Sequence, residues 1–546
     1  MHNAVSGRDI PGSTAGRPAG GIRTRLDLAA WLATIALLAL HIARLARFAV
    51  DWPLHDDFTQ ILAVPGYLAQ MPSPAERLEY LFSLSVEHRI VTLRLAGWIG
   101  SLLPGGLDFR LLIALGNGLG VVAGAILVLH FPRAQRAMAA LVTTLLLTSV
   151  THYGAQYWAT GALQHFGVCA YAMIAILAAA RGRAIVAAMA AFAAAFTAAN
   201  GLMVVPAVVL LLALTGRRRE AVVWAIAGAT LFAVYFIGYE TPVGRMSVVD
   251  VLRDPLRLAA FGLATLGGIG DRYLPSVMLG GAIVAAWLVL LVTGAWRRVP
   301  PALVAAMLFF ALTCAAIALG RAALGAEAAT LSRYRVYSAS AILLTLAAVV
   351  PLARPKQGTL ALAVVAVLAA IVHVLGGMSS MPPMIELSSL QRAARDEYAI
   401  DGHGFFLGFP DADFGGYTLR RARDIGAYHG ERHGSAPIVP TGGAPSSGGQ
   451  PSIFSNHVHA NARVVSVVGM LRGRHRAATL WLDDGRAAFR AELATVRCMG
   501  PEWQARTTVF RGTIDVGDLP AGRYRVGYDT GRDSGVAWTE RHVDVR

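Results

Sequence analysis

Lysine is almost absent from this 546-residue chain; Lys356 is the only one, so the +15 net charge is carried by arginine. Charged residues of any kind are scarce, at 15%, against about 25% in soluble globular proteins. With 55% hydrophobic residues and a mean hydropathy of +0.53, that scarcity excludes a soluble enzyme and identifies a polytopic membrane protein. Three cysteines, Cys169, Cys314 and Cys498, are too few and too scattered for a disulfide framework. A glycine-rich phosphate loop, a serine-nucleophile elbow and an HExxH motif are all missing. Those absences argue against an ATP-driven transporter and a membrane zinc protease. The basic excess reads as cytoplasmic loops facing anionic lipid, with no nucleic acid partner.

What is present is a series of apolar runs. Residues 1–25 are rich in Gly, Ser, Pro and Arg and read as a disordered cytoplasmic N-terminus. The run 26–48 is long enough to span a bilayer and lacks a convincing cleavage site before Asp51, so it reads as a retained first span. Others follow near 108–130, 135–150, 161–180, 184–199, 201–215, 219–239, 276–295, 300–320, 335–352 and 359–377. Arginine clusters at 133 and 136, 181 and 183, 217–219, 297 and 298, and 354 with Lys356 fall between alternate pairs, which puts them all on the cytoplasmic side. This orientation makes 184–215 a short re-entrant hairpin turning at Asn200-Gly201. Of 15 Asp and Glu before residue 380, only Asp9, Asp27 and Glu220 fall inside. About eleven spans result over 26–380, with an external loop at 51–107; 90–104 and 256–270 either cross or lie in the interface.

Residues 381–452 read as a membrane-proximal segment ending in a flexible linker, IVPTGGAPSSGGQPS. Within 453–546 the stretches RVVSVVGML, AATLWLDD, RTTVFRGTIDV and GRYRVGYDT alternate as strands do, with turns at Asp484-Gly485 and Pro520-Ala521-Gly522. They predict a small β-sandwich, which the odd number of spans places on the periplasmic side of a bacterial inner membrane. His457, His459, His429 and His433 match no zinc spacing and read as solvated loop histidines.

Three polar clusters share the external face. The first is Asp51-Trp52-Pro53-Leu54-His55-Asp56-Asp57-Phe58. Adjacent carboxylates repel, so they suit a divalent cation, a general base or both; the plainer reading is a solvated loop with Asp57 capping a helix over 58–70. The second is Ser85-Val86-Glu87-His88-Arg89-Ile90. Arg89 has the geometry to bind phosphate bidentately and His88 to relay a proton or ligate a metal, against plain interfacial anchoring. The third is Ser332-Arg333-Tyr334-Arg335-Val336-Tyr337. Arg333 and Arg335 suit an anionic headgroup, with a hydroxyl from Tyr334 or Tyr337; alternatively they pair with Glu327 or lipid phosphate. Tyr153, Gln156, Tyr157 and Trp158, with Gln164 and His165, suit sugar faces or an ordinary aromatic belt.

Asp56-Asp57 after the first span, Glu87-His88-Arg89, Asn200-Gly201-Leu202 and Arg333-Tyr334, in a chain with a C-terminal β-domain, resemble the GT-C glycosyltransferases. The likeness covers about 25–380 by layout, and the adjacent Asp-Asp departs from the spaced Asp-x-Asp of many members. It implies a polyprenyl-phosphate sugar donor, an envelope glycan or lipid acceptor, and transfer with inversion. Asp57, in preference to Asp56, would deprotonate the acceptor, and Asp56 would orient it or hold Mg²⁺ or Mn²⁺ with Asp57. Arg89, Arg333 and Arg335 would neutralise the departing phosphate, assisted by Tyr334, with Glu87, His88 and His55 in support. A transporter or lipid flippase would place ionisable groups in mid-span, where only His41 and His373 stand. A glycan polymerase would use the external arginines without the aspartate pair. A membrane-anchored glycan-binding module would not need so many spans.

Overall fold

A computed structural model describes residues 19–85, 87–239, 248–402, 412–430, 435–441, 453–460, 463–472, 478–499, 506–529 and 536–545. Seven helices among them are long and apolar enough to cross a bilayer: Arg25–Phe48, Phe109–Leu129, Ala159–Ala180, Tyr273–Val292, Pro301–Leu324, Ser332–Leu352 and Pro355–Asp401. An eighth crossing results if Arg133–Leu147 and Val150–Gln156, bent by 44°, are taken together. The expected eleven are not reached. Ala184–Ala195, Ala199–Leu214 and Pro255–Gly267 are apolar but short; a 12-residue helix such as Ala184–Ala195 is about 18 Å long, against a hydrocarbon core of about 30 Å. Arg218–Tyr235 opens on Arg218, Arg219 and Glu220. Val91–Ser101, at 11 residues, is also too short to cross.

The outer part of Pro355–Asp401 continues well past its apolar half and becomes a strap. Ser388 Oγ donates to the Phe48 carbonyl (2.7 Å) and Gln391 Nε2 to the Trp52 carbonyl (3.3 Å). The strap therefore lies against the segment that follows the first helix. At the other end of the bundle Arg217 donates to the Ala179 carbonyl and Gln135 packs against Gly358, so arginine-bearing turns far apart in sequence gather there.

The strands are two short arms, β1 (Leu84–Ser85) and β2 (His88–Arg89), and eight more in the C-terminal domain. These are β3 (Ile438–Thr441), β4 (Ile453–Ala460), β5 (Val464–Arg472), β6 (Ala478–Asp483), β7 (Ala488–Met499), β8 (Arg506–Asp515), β9 (Gly522–Asp529) and β10 (Ala537–Val545). They form one nearly closed antiparallel sheet in the order β10-β9-β6-β7-β8-β5-β4, with β3 also on β7. The expected small β-sandwich takes the form of one continuous, nearly closed sheet. The cause is β7: its first half pairs with β6 through Leu493↔Ala478, and its second half pairs with β8 from Ala494↔Arg511 onward. One strand thereby joins both layers around a core that includes Val465, Leu480, Phe510, Ile514, Tyr524 and Val526.

This domain docks on the strap. Met384 and Ile385 pack with Met470 and Val509. Arg511 pairs with Asp396 (3.5 Å), which also holds Arg395 (3.0 Å). The reading of the histidines as solvated loop residues is corrected for two of them: His457 and His459 lie on β4, two residues apart on one face. They meet Glu386 (3.2 Å) and the fully buried Glu397. His433 and the linker 442–452 lie outside the described residues.

The bond to Glu397 raises the His459 pKa above its ordinary value, more than burial lowers it. A raised imidazole contributes its full stability below its unfolded value of about 6.5 and loses it as the pH rises through the raised value. Glu397→Gln is therefore expected to lower the melting temperature most below about pH 6.5 and progressively less above it. A melting-temperature gap that does not change with pH would show that the contact is not made through protonated His459.

Candidate functional site

At the strap end of the bundle the helices enclose a cavity of about 480 Å³. Seven segments build it: the turn around Asp56 and Gln60, the β1–β2 hairpin, the start of Ala159–Ala180 with Trp158, the break at 198–203, the stretch with Phe236 and Tyr239, and the facing ends of the helices Pro301–Leu324 and Ser332–Leu352.

The first loop turns sharply. His55 has φ +47°, the only non-glycine in the left-handed region among the described residues, and Asp57 N donates to the Leu54 carbonyl (2.9 Å). The two adjacent aspartates are consequently used differently. Asp57 is 1% exposed and does not line the cavity. Its carboxylate accepts from Leu54 N (3.0 Å), Thr160 N (2.8 Å) and Thr160 Oγ1 (2.6 Å), and it makes no helix-capping bond. Burial pushes its pKa up to about 7 even against these three donors. Asp56 lines the cavity, and its carboxylate has no hydrogen-bond partner among the described residues. Burial raises its pKa, while His55, Arg333 and Arg321 pull it down and Glu87 pushes it up.

The expected phosphate-binding arginines separate in the same way. Arg89 is closed on backbone: its guanidinium donates to the carbonyls of Tyr235 (2.8 Å), Phe82 and Ile237. Arg335 is 6% exposed and donates to the carbonyls of Thr330 (3.2 Å) and Thr151 (3.0 Å). Neither lines the cavity. Arg333 does, lying over the Tyr334 ring at 5.1 Å with no carboxylate partner among the described residues. Its place follows from a tight contact: Gly154 N donates to Ser332 Oγ (3.1 Å), and a Cβ on Gly154 would sit 2.3 Å from that oxygen.

Arg321 is a cavity residue that the sequence pattern does not single out. It lines the cavity, paired with Glu87, which also faces His88 at 3.6 Å. The signal was available, since Arg321 closes an apolar helix at the end otherwise marked by acidic residues, as Arg333 does. Its pairing with Glu87, 234 positions away, was not legible.

Of the aromatic stretch, Trp158 and His165 line the cavity, whereas Tyr153, Gln156 and Tyr157 do not. Trp158 Nε1 donates to the Leu54 carbonyl (2.9 Å). Gln156 is buried and donates to the Leu147 carbonyl (3.3 Å), and Tyr157 packs with the strap residues Met384 and Ile385. His55 stands edge-on to Trp158 at 5.9 Å, outside the lining. The break at Asn200-Gly201 forms a wall: Asn200 lines the cavity, and a Cβ on Gly201 would lie 1.9 Å from the Ala194 carbonyl oxygen, so only glycine fits.

A cation shared by Asp56 and Asp57 does not fit this arrangement, because Asp57 is filled by three donors and turned from the cavity. Among the described residues no group of three or more His, Cys, Asp or Glu converges as a metal site. What the cavity offers chemically is the Asp56 carboxylate and the Arg333 guanidinium, neither hydrogen-bonded to a side chain among the described residues, a Glu87–Arg321 pair and a wall of neutral hydrogen-bonding groups.

No protein-family model, curated protein or solved structure matches the chain.

Asp57→Ala is expected to reduce the folded fraction in membranes, at a cost of roughly 1–3 kcal/mol for each buried donor left unpaired. Thermal unfolding in detergent checks this, and an unchanged transition would mean that the Thr160 contacts do not hold the loop.

Proposed function

We propose that the chain is a membrane glycosyltransferase that moves a sugar from a polyprenyl-phosphate donor to an acceptor hydroxyl of an envelope glycan or lipid. The observation that carries this reading is the presence, on one cavity, of a carboxylate, Asp56, without a hydrogen-bond partner among the described residues and of a guanidinium, Arg333, without an ion-pair partner within 4 Å among them. The reaction needs both at once. Asp56, in place of the buried Asp57, takes the proton from the acceptor O–H as that oxygen attacks the anomeric carbon. The bond from the anomeric carbon to the phosphate oxygen breaks, and the polyprenyl phosphate leaves with the electron pair. Arg333, with Arg321 beside it, meets the charge that grows on the phosphate. Attack opposite the leaving group inverts the anomeric centre.

The position of the cavity supports a lipid donor. It lies at the ends of apolar helices, and Ala316, Ile317 and Leu319 give it an apolar side, so a prenyl tail can stay in hydrocarbon while its phosphate reaches the arginines. The proposal includes an inner-membrane location with the N-terminus in the cytoplasm and the β-domain in the periplasm, as the positive-inside pattern indicates.

Asp56→Asn is expected to abolish transfer while leaving membrane abundance unchanged. Mass spectrometry of polyprenyl-phosphate lipids checks it: one glycosylated species should accumulate in a deletion strain and with Asp56→Asn, but not with wild type. Identical lipid pools in all three would overturn the transferase reading in favour of transport or polymerisation. Because the Asp56 pKa is raised, turnover should fall with decreasing pH at a point above the usual aspartate value of about 3.9.

Arg333→Ala is expected to raise the donor KM far more than the exposed Arg420→Ala. Equal, negligible effects in a reconstituted transfer assay would remove Arg333 from the site.

A further inference from the structure

One phenol on the cavity wall sets the hydrogen-bond polarity of two neighbours. Tyr337 is 1% exposed, and its hydroxyl lies 3.2 Å from Asn200 Nδ2 and 3.0 Å from His165 Nδ1. An amide NH₂ can only donate, so Asn200 gives its proton to the phenol oxygen. Among the described residues the phenolic proton has no acceptor other than His165 Nδ1, so that nitrogen presents its lone pair and His165 carries its own proton on Nε2. Tyr334 stands edge-on to the imidazole at 5.5 Å and Tyr337 at 5.8 Å. All four residues line the cavity. Once the phenol is satisfied, the groups left for a ligand are a donor, His165 Nε2–H, and an acceptor, Asn200 Oδ1.

We propose that His165 and Asn200 form a subsite reading two hydroxyls of the transferred sugar, with Tyr337 as the positioning residue that sets its polarity; this rests on the transferase reading above. A phosphate presents only acceptor oxygens and would be repelled by the Asn200 carbonyl, so the ligand here is a group that both donates and accepts. A pair of ring hydroxyls does so. Trp158 supplies the complementary apolar surface: its Nε1 is bound to the Leu54 carbonyl, which leaves ring carbon to meet the apolar face of a sugar. Arg333 and Arg321 belong to the phosphate, and the neutral wall to the sugar.

The test uses the purified full chain in lipid nanodiscs with undecaprenyl-phosphate mannose, glucose, galactose and arabinose, then deoxy analogues of the best donor. Wild type should lose roughly tenfold or more in kcat/KM when either hydroxyl read by this pair is removed. Asn200→Ala should lose a similar factor on the parent donor and nothing further on the analogue lacking the hydroxyl that donates to Asn200, and Tyr337→Phe should lose a similar factor on the parent donor and respond less than wild type to removal of either hydroxyl. If the three side chains only pack helices together, the variants will discriminate parent from deoxy donor as wild type does, and the subsite is overturned. Should both variants fail to fold, ¹⁵N shifts of labelled histidine in wild type decide: His165 protonated on Nε2 supports the subsite, and on Nδ1 reverses its polarity and overturns it. If wild type neither binds nor processes any of the four donors, the transferase reading and the subsite fall together.

Discussion

A buried carboxylate organises the end of this molecule where the cavity lies. Asp57 joins the loop after the first helix to the start of the helix at Ala159 through two backbone N–H groups and one hydroxyl. That link adds to the Trp158 bond to the Leu54 carbonyl in fixing the loop that carries Asp56. With it, the neighbouring carboxylate is held at the cavity wall and remains unbonded. Two identical side chains in succession thus take opposite roles, because one is enclosed and fully bonded and the other is left to interact with whatever enters.

The arginines divide by the same rule. A guanidinium has five N–H donors and no acceptor, so a buried one must find carbonyls or carboxylates. Arg89 and Arg335 find backbone carbonyls and act as clamps, one across Phe82 and the Tyr235–Ile237 turn, the other across Thr151 and Thr330. Arg321 finds Glu87. Arg333 has the Tyr334 face and no ion-pair partner within 4 Å among the described residues, which leaves its donors available to an anionic ligand. A count of the arginines at this end of the bundle therefore overstates how many face the cavity.

The C-terminal domain acts on the same loop from behind. The strap is held on one side by β-domain contacts at Asp396, Glu386 and Glu397, and on the other it binds the Phe48 and Trp52 carbonyls. Tyr428 adds a hydrogen bond to the Asp51 carbonyl (2.9 Å). The β-domain thereby stiffens the segment from which Asp56 projects, whatever else it binds.

Composition and periodicity were enough to establish a polytopic helical protein followed by a β-domain, because apolar runs and strand alternation are local properties. Asp56, Glu87, His88, Arg333, Tyr334, Trp158 and His165 were also legible, since polar groups at the ends of apolar runs are few. The number of crossings was not, because Ala184–Ala195 and Ala199–Leu214 are as apolar as a span while their length is set by the break at Asn200. Nor was the choice between Asp56 and Asp57, or between Arg333 and Arg335. Neighbours in sequence have the same composition around them, and their roles depend on which partners the fold brings up from a hundred or more residues away: Thr160 for Asp57, Thr151 for Arg335 and Glu87 for Arg321. The sequence by itself determined which polar groups stand at the ends of the apolar runs; only the tertiary structure decided which are satisfied by the protein and which line the cavity.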